Sequence, residues 1–126
     1  MTSTIRVDNF GPSAGGTTYS ARGIAKAWVN FDGTGTIAAR DSENVSSLTD
    51  GGAGDYEINF SNSFAAADYS IVATGNIATN NSGRSVSAPA SDTYTVSAVG
   101  VRCFRSDTLG AEDFAFVSAA AHGDLA

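Results

Sequence analysis

Gly23-Ile24-Ala25-Lys26-Ala27-Trp28-Val29-Asn30-Phe31-Asp32-Gly33-Thr34-Gly35-Thr36-Ile37 reads as a strand, a reversal and the start of a second strand. Ala25, Ala27, Val29 and Phe31 fall on one face, and Lys26, Trp28 and Asn30 on the other, the period-2 pattern of a half-buried strand. Asp32-Gly33-Thr34-Gly35 supplies the turn, because its two glycines accept positive φ and the Asp32 carboxylate can fold onto its own backbone. The chain then returns through Thr36-Ile37-Ala38-Ala39 as an antiparallel hairpin.

Working outward, a second hairpin is expected from Asn44 to Thr49 and Gly54 to Phe60, around the glycine-rich Asp50-Gly51-Gly52-Ala53-Gly54. Tyr56, Ile58 and Phe60 share one face, while Asp55, Glu57 and Asn59 share the other, so one side is buried and one solvated. Burying each large side chain contributes roughly 1.5 to 3 kcal/mol, so Tyr56→Asp or Ile58→Asp is expected to abolish folding.

Phe64 is placed as a plug at one end of the core, followed by a strand from Tyr69 to Ile77 with Tyr69, Ile71 and Ala73 alternating against Ser70, Val72 and Thr74. Residues 79–84 read as an exposed turn and 85–92 as a polar excursion. Thr93 to Phe104 is expected as a strand, and 105–113 as a charged, glycine-broken turn. Phe114 to Ala121 is apolar on both faces, which suits a central strand or one facing a partner subunit.

Towards the N-terminus, Ile5, Val7 and Phe10 form a brief apolar strand that Gly11-Pro12-Ser13-Ala14-Gly15-Gly16 ends. Such an arm cannot bury its apolar residues alone, so it lies on the domain, pairs with a neighbouring subunit or attaches to another protein. With no amphipathic helix in view, the expectation is an all-β domain of eight to ten strands, an antiparallel β-sandwich or jelly-roll-like fold over residues 23–126, preceded by a short N-terminal arm and Gly/Ser-rich linker over 1–22.

Composition narrows the function. The 126 residues make one domain, and the formal net charge of −6 with only seven scattered Lys and Arg argues against a nucleic-acid partner. A single cysteine, Cys103, rules out an intrachain disulfide, so stability rests on packing and association. The first residues carry no apolar signal-peptide core, and no run of about 18 apolar residues occurs, so neither export nor membrane insertion is expected.

Chemistry-bearing constellations are sparse. A hydrolytic triad needs a base, and the sole histidine, His122, lies near the terminus and reads as a strand-end residue. Cys103 sits in a strand pattern and reads as a small core residue. Asp50, Asp55 and Glu57 read as turn and solvated-face residues rather than a glycosidase pair. The two Asp-Gly turns are the best Ca²⁺ candidates, but turn chemistry accounts for both, and no metal or cofactor is expected. Trp28 is either covered by another layer or subunit, the preferred reading, or displayed as a carbohydrate-stacking platform. Arg102 and Arg105 either pair with acids across a subunit interface or sit on a solvated edge.

The segment Ala-Lys-Ala-Trp-Val-Asn-Phe-Asp-Gly-Thr-Gly-Thr (25–36), with Ile37 to Arg40, Asp41-Ser42, Asn44-Val45-Ser46-Ser47-Leu48-Thr49-Asp50 and Gly54-Asp55-Tyr56-Glu57-Ile58-Asn59-Phe60, closely resembles a domain recurrent in tail-fibre and related virion proteins of tailed bacteriophages. Residues 5–8 and the closing His122-Gly123-Asp124 fit the same pattern more weakly. The resemblance implies a non-enzymatic virion protein, made in the host cytoplasm and carried on the tail as a homotrimer. Its partners would be other tail or baseplate proteins and a host-surface glycan or protein. Under this reading Asn80, Asn81, Arg84, Arg105 and Asp107 contact the receptor, and Ile5, Val7, Phe114 and Phe116 form the subunit interface. A capsid decoration or baseplate protein is the alternative, and a glycan depolymerase a more distant one.

Overall fold

The computed structural model describes residues 2–11, 14–79, 83–87 and 93–126. Two four-stranded antiparallel sheets face one another as a β-sandwich. The strands are β1 (Asn9–Phe10), β2 (Tyr19–Ser20), β3 (Ala27–Asp32), β4 (Ala38–Glu43), β5 (Val45–Gly52), β6 (Asp55–Phe60), β7 (Ser70–Asn76), β8 (Arg84–Ser87), β9 (Ala98–Arg105) and β10 (Phe116–His122). One sheet runs in the order β4-β3-β10-β7 and the other β5-β6-β9-β8, while β1 and β2 pair as a separate two-stranded ribbon. No α-helix occurs among the described residues.

The alternating pattern of β3 falls as the sequence implies, with Ala27, Val29 and Phe31 buried and Trp28 facing outward. Its hairpin with β4 closes through an Asx turn in which Asp32 Oδ1 accepts hydrogen bonds from the Thr34 N–H at 2.9 Å and hydroxyl at 2.6 Å. Those bonds, with Arg40 beside them, hold the Asp32 carboxyl below its usual range. Chain direction then switches sheets at Asn44, whose φ of 55° is one that Asn tolerates better than most residues. The Asn44 and Asn62 amides clasp each other, with Asn44 Oδ1 accepting from the Asn62 N–H at 2.7 Å, and so pin the corner to the end of β6.

Inward residues of both sheets interlock in one core built from Val29, Phe31, Tyr56, Ile58, Val99, Val101, Phe114 and Val117. Phe31 and Tyr56 meet edge to face at 5.3 Å across the sandwich. At one end Phe64 plugs the core as expected, in a stack with Tyr69 at 4.2 Å that Tyr94 extends at 4.5 Å. Tyr94 donates its hydroxyl hydrogen to the Tyr69 carbonyl. At the other end the Tyr56 hydroxyl lies 2.8 Å from Asp113 Oδ1 and 3.0 Å from the Gly33 carbonyl oxygen. Asp113 Oδ1 also accepts from the Gly54 N–H at 2.8 Å. Gly33 and Gly54 admit no larger residue: a Cβ on the first would strike the Tyr56 hydroxyl, and one on the second the backbone of Cys103 and Glu112.

Four expectations are corrected. The arm strand is Asn9–Phe10 rather than 5–8: among the described residues the ladder there joins Asn9 and Phe10 to Ser20 and Tyr19, with the Ala21 N–H donating to the Asp8 carbonyl at 2.9 Å beside it; Ile5 and Val7 precede it, and Ile5 is 87% exposed. Phe114, assigned to a subunit interface, is 0% exposed inside the chain's own core, and the last strand starts two residues later. The strand expected from Thr93 begins at Ala98, because Thr95 closes a turn: its Oγ1 accepts from the Ala98 N–H at 3.0 Å and its own N–H donates to the Ala98 carbonyl at 2.9 Å. Residues 84–87, read as the end of an exposed turn and the start of a polar excursion, form edge strand β8 against β9, with Val86 as the single hydrophobic residue in the strand.

Replacing Tyr56 by Phe keeps the ring contact with Phe31 and removes the hydroxyl that joins Gly33 to Asp113. A loss of about 1 to 3 kcal/mol is expected in urea unfolding, with the slope unchanged.

Candidate functional site

The residues expected to contact a receptor fall into two groups. Asn80 and Asn81 lie outside the described residues. Arg84 and Arg105 are brought together, because β8 pairs with β9 in a register that sets Arg84 opposite Arg105. Gly83 accepts from the Ser106 N–H at 2.7 Å, and the Ser85 and Ser106 hydroxyls lie 2.7 Å apart, so the start of β8 and the turn after β9 meet at one end of the domain. Between β9 and the Phe104–Ala111 bridge the chain makes a tight reversal, with the Leu109 N–H donating to the Arg105 carbonyl at 2.8 Å. Leu109, which the sequence reading passed over, projects from its tip.

The two arginines differ physically. Arg105 and Asp107 pair with each other in the open, Nε to Oδ1 at 3.1 Å and Nη2 to Oδ2 at 2.9 Å. This pairing raises the Arg105 pKa and lowers that of Asp107. Arg84 instead lies mostly buried, its Nε 2.6 Å from Glu112 Oε2, and ties β8 to the segment before β10. It is a strut rather than a contact residue.

A second candidate lies on the outer face of the β4-β3-β10-β7 sheet. The register places Trp28, Ala120 and Val72 in one row across β3, β10 and β7, and Asn30, Ser118 and Thr74 in the next. Small Ala120 between two larger neighbours makes a shallow groove of about 350 Å³. Trp28 is 38% exposed and Val72 61%, so among the described residues no second layer covers Trp28, and of the preferred reading only cover by a neighbouring subunit is left. Asn30 donates from Nδ2 to Ser118 Oγ at 2.7 Å. A β-bulge opposite Asn30 and Phe31 makes Arg40 the extra residue on β4. Its guanidinium reaches Asn30 Oδ1 at 3.3 Å, pairs with Asp32 at 3.2 Å and covers the Phe116 ring at 4.7 Å. Period-2 reading had set Trp28 and Asn30 on this face; the rows that join them to β7 and β10 come from long-range pairing.

Three of the residues weighed for chemistry have clear structural places. His122 ends β10 with Nδ1 3.2 Å from the Gly23 carbonyl oxygen. Cys103 is buried on β9, where desolvation, reinforced by the Asp113 charge, pushes its thiol up to about 12. Asp50 caps its own turn, accepting from the Gly52 N–H at 2.9 Å. Among the described residues no group of three or more His, Cys, Asp or Glu gathers to hold a metal, and no helix is long and apolar enough to cross a membrane. Comparison with protein-family models, with curated proteins and with solved structures found no match.

Two outcomes follow. Arg84→Ala leaves Glu112 without this partner and is expected to cost about 1 to 3 kcal/mol in denaturant melts, whereas Arg105→Ala stays within about 0.5 kcal/mol of the parent. Burial also keeps Cys103, Tyr56 and Tyr69 protonated in the folded chain beyond the pH at which the unfolded chain releases those protons. The contribution of these three groups is therefore full below pH 9.0, the ordinary thiol value, and falls as pH rises towards 12, by on the order of 1 kcal/mol per unit for each group titrating. Thermal melts against pH check this, and Cys103→Ala should delay the onset to near the ordinary tyrosine value of 10.0.

Proposed function

We propose that this chain is a structural, non-enzymatic virion protein, a short tail fibre or tail-fibre head module that contributes to attachment at the host surface. The observation that carries the reading is the wording of residues 25–60, which resembles tail-fibre and related virion domains and coincides with the two hairpins that start the sandwich. The exposed loop end is consistent with it: Arg105, Asp107 and Leu109 stand together beyond the rigid β8-β9 pair, the arrangement in which a scaffold presents contact residues. Homotrimerisation is part of the same proposal. Its support is the exposed apolar surface at Ile5, Val7 and Phe116, which a neighbouring copy would remove from water. Three copies would also raise a weak single-site affinity by avidity.

A second reading, a capsid decoration or baseplate protein, draws on the same exposed arm, since Ile5 and Val7 would serve equally to fasten the domain onto another virion protein. Gold labelling of virions that carry the chain separates the two. Label on the tail or its fibres is expected, with label over the head overturning the attachment role. Replacing Arg105, Asp107 and Leu109 together by alanine should slow adsorption while leaving the melting temperature within a few degrees, and light scattering should give three times the 12.8 kDa chain mass.

A further inference from the structure

We infer that the groove on the outer face of β3, β10 and β7 binds a neutral glycan, with the Trp28 indole as the stacking surface. The inference deepens the attachment reading by naming a ligand class, but its geometry is separate from the loop end. A pyranose offers an apolar face of C–H bonds and a rim of hydroxyls, and the groove offers the complement of both. Trp28 and Val72 form its apolar walls over an Ala120 floor, and Asn30, Ser118 and Thr74 line the adjoining row. Ser118 Oγ accepts from Asn30, which leaves its own hydrogen free to donate, and the Thr74 hydroxyl has no hydrogen bond among the described residues. Polar groups beside an exposed aromatic ring fit a ligand with directional hydroxyls better than a purely apolar one.

Size fits a small ligand, because a second copy seated on this face would have to extend beyond the groove over Arg40 and Phe116, past the Asn30-Ser118-Thr74 row. From Trp28 to Val72 the groove spans two strand spacings, about 10 Å, and its two rows extend about 7 Å along the strands. That footprint is on the order of 100 Å², far below the roughly 800 Å² per partner of a stable protein interface. It matches one or two sugar rings. Charge selects a neutral ligand. Of the cations on this face, Arg40 is neutralised by Asp32 and the Lys26 ammonium donates to the Ala21 carbonyl at 3.0 Å, while Asp41 and Glu43 stand opposite Asn30 and Trp28 on β4. The chain carries a formal net charge of −6, so an acidic glycan would meet repulsion.

Trp28 is the single tryptophan of the chain, so its fluorescence reports this groove alone. The protein is titrated with cellotetraose, maltotetraose and mannotetraose, with tetragalacturonate as the acidic counterpart. A saturable blue shift with at least one neutral sugar, at a Kd on the order of 1 mM or tighter, is expected, and none with tetragalacturonate. Trp28→Ala should abolish the heat of binding in calorimetry. Ala120→Val, a strand-compatible change that fills the floor, should weaken binding at least tenfold with an unchanged melting temperature. Three results would overturn the inference: no saturable change with any neutral sugar, equal binding of the acidic one, or an emission shift that follows protein concentration rather than sugar, which would mean that a second copy covers Trp28. The two readings fail separately. If Trp28→Ala protein blocks virion adsorption as well as the parent, the groove inference falls and attachment stands; if neutral sugars bind but the label lies over the head, the reverse holds.

Discussion

The Tyr56 hydroxyl sits where three parts of the chain must meet, and the sandwich depends on their meeting. It lies 3.0 Å from the Gly33 carbonyl in the first turn and 2.8 Å from Asp113, the carboxylate that also takes the Gly54 N–H. A buried phenol needs a partner, and a buried backbone amide needs one too; a single carboxylate oxygen serves both. Sterics then dictate the neighbours. Gly33 and Gly54 are the residues whose missing side chains let Tyr56, Cys103 and Glu112 approach, so the turn glycines of both hairpins act as spacers between sheets as well as reversals.

From that end the core runs as an interlocked layer to the aromatic stack of Phe64, Tyr69 and Tyr94. Both ends are thus closed by tyrosines whose hydroxyls bond to backbone or carboxylate. A chain without disulfides gains its rigidity in this way, from apolar burial in the middle and satisfied polar groups at the two caps. With the interior sealed, contact with other molecules is left to the surface: the β8-β9 loop end, the exposed arm and the outer sheet face around Trp28.

These surfaces are held with different stiffness. Arg84 is anchored to Glu112 in a partly buried pair, whereas Arg105 and Asp107 satisfy each other in solvent and can exchange partners at small cost. The outer sheet face is the most rigid, since Trp28, Ser118 and Val72 stand on three consecutively paired strands, two of them central. A contact surface built on a sheet keeps its geometry without a loop having to order on binding.

Local sequence determined the class of fold, the two hairpins, the alternation of β3, β6 and β7 and the Phe64 plug, because period-2 alternation and Asp-Gly turns are encoded by neighbours along the chain; it set Trp28 on the face opposite Val29 and Phe31 but favoured a cover for it, and its exposure came from the structure. It did not determine which strands lie side by side. Phe114 looked like an interface residue because an apolar side chain has the same local signature whether its own core or another subunit covers it. Residues 84–87 carried no strand signal because an edge strand buries one face only in part. The pairing of Arg84 with Glu112, the meeting of Tyr56 with Asp113 and the rows that join Trp28 to Val72 were decided by tertiary structure alone. Each links residues at least 28 positions apart, and such contacts form only once burial of the shared core has fixed strand order and register.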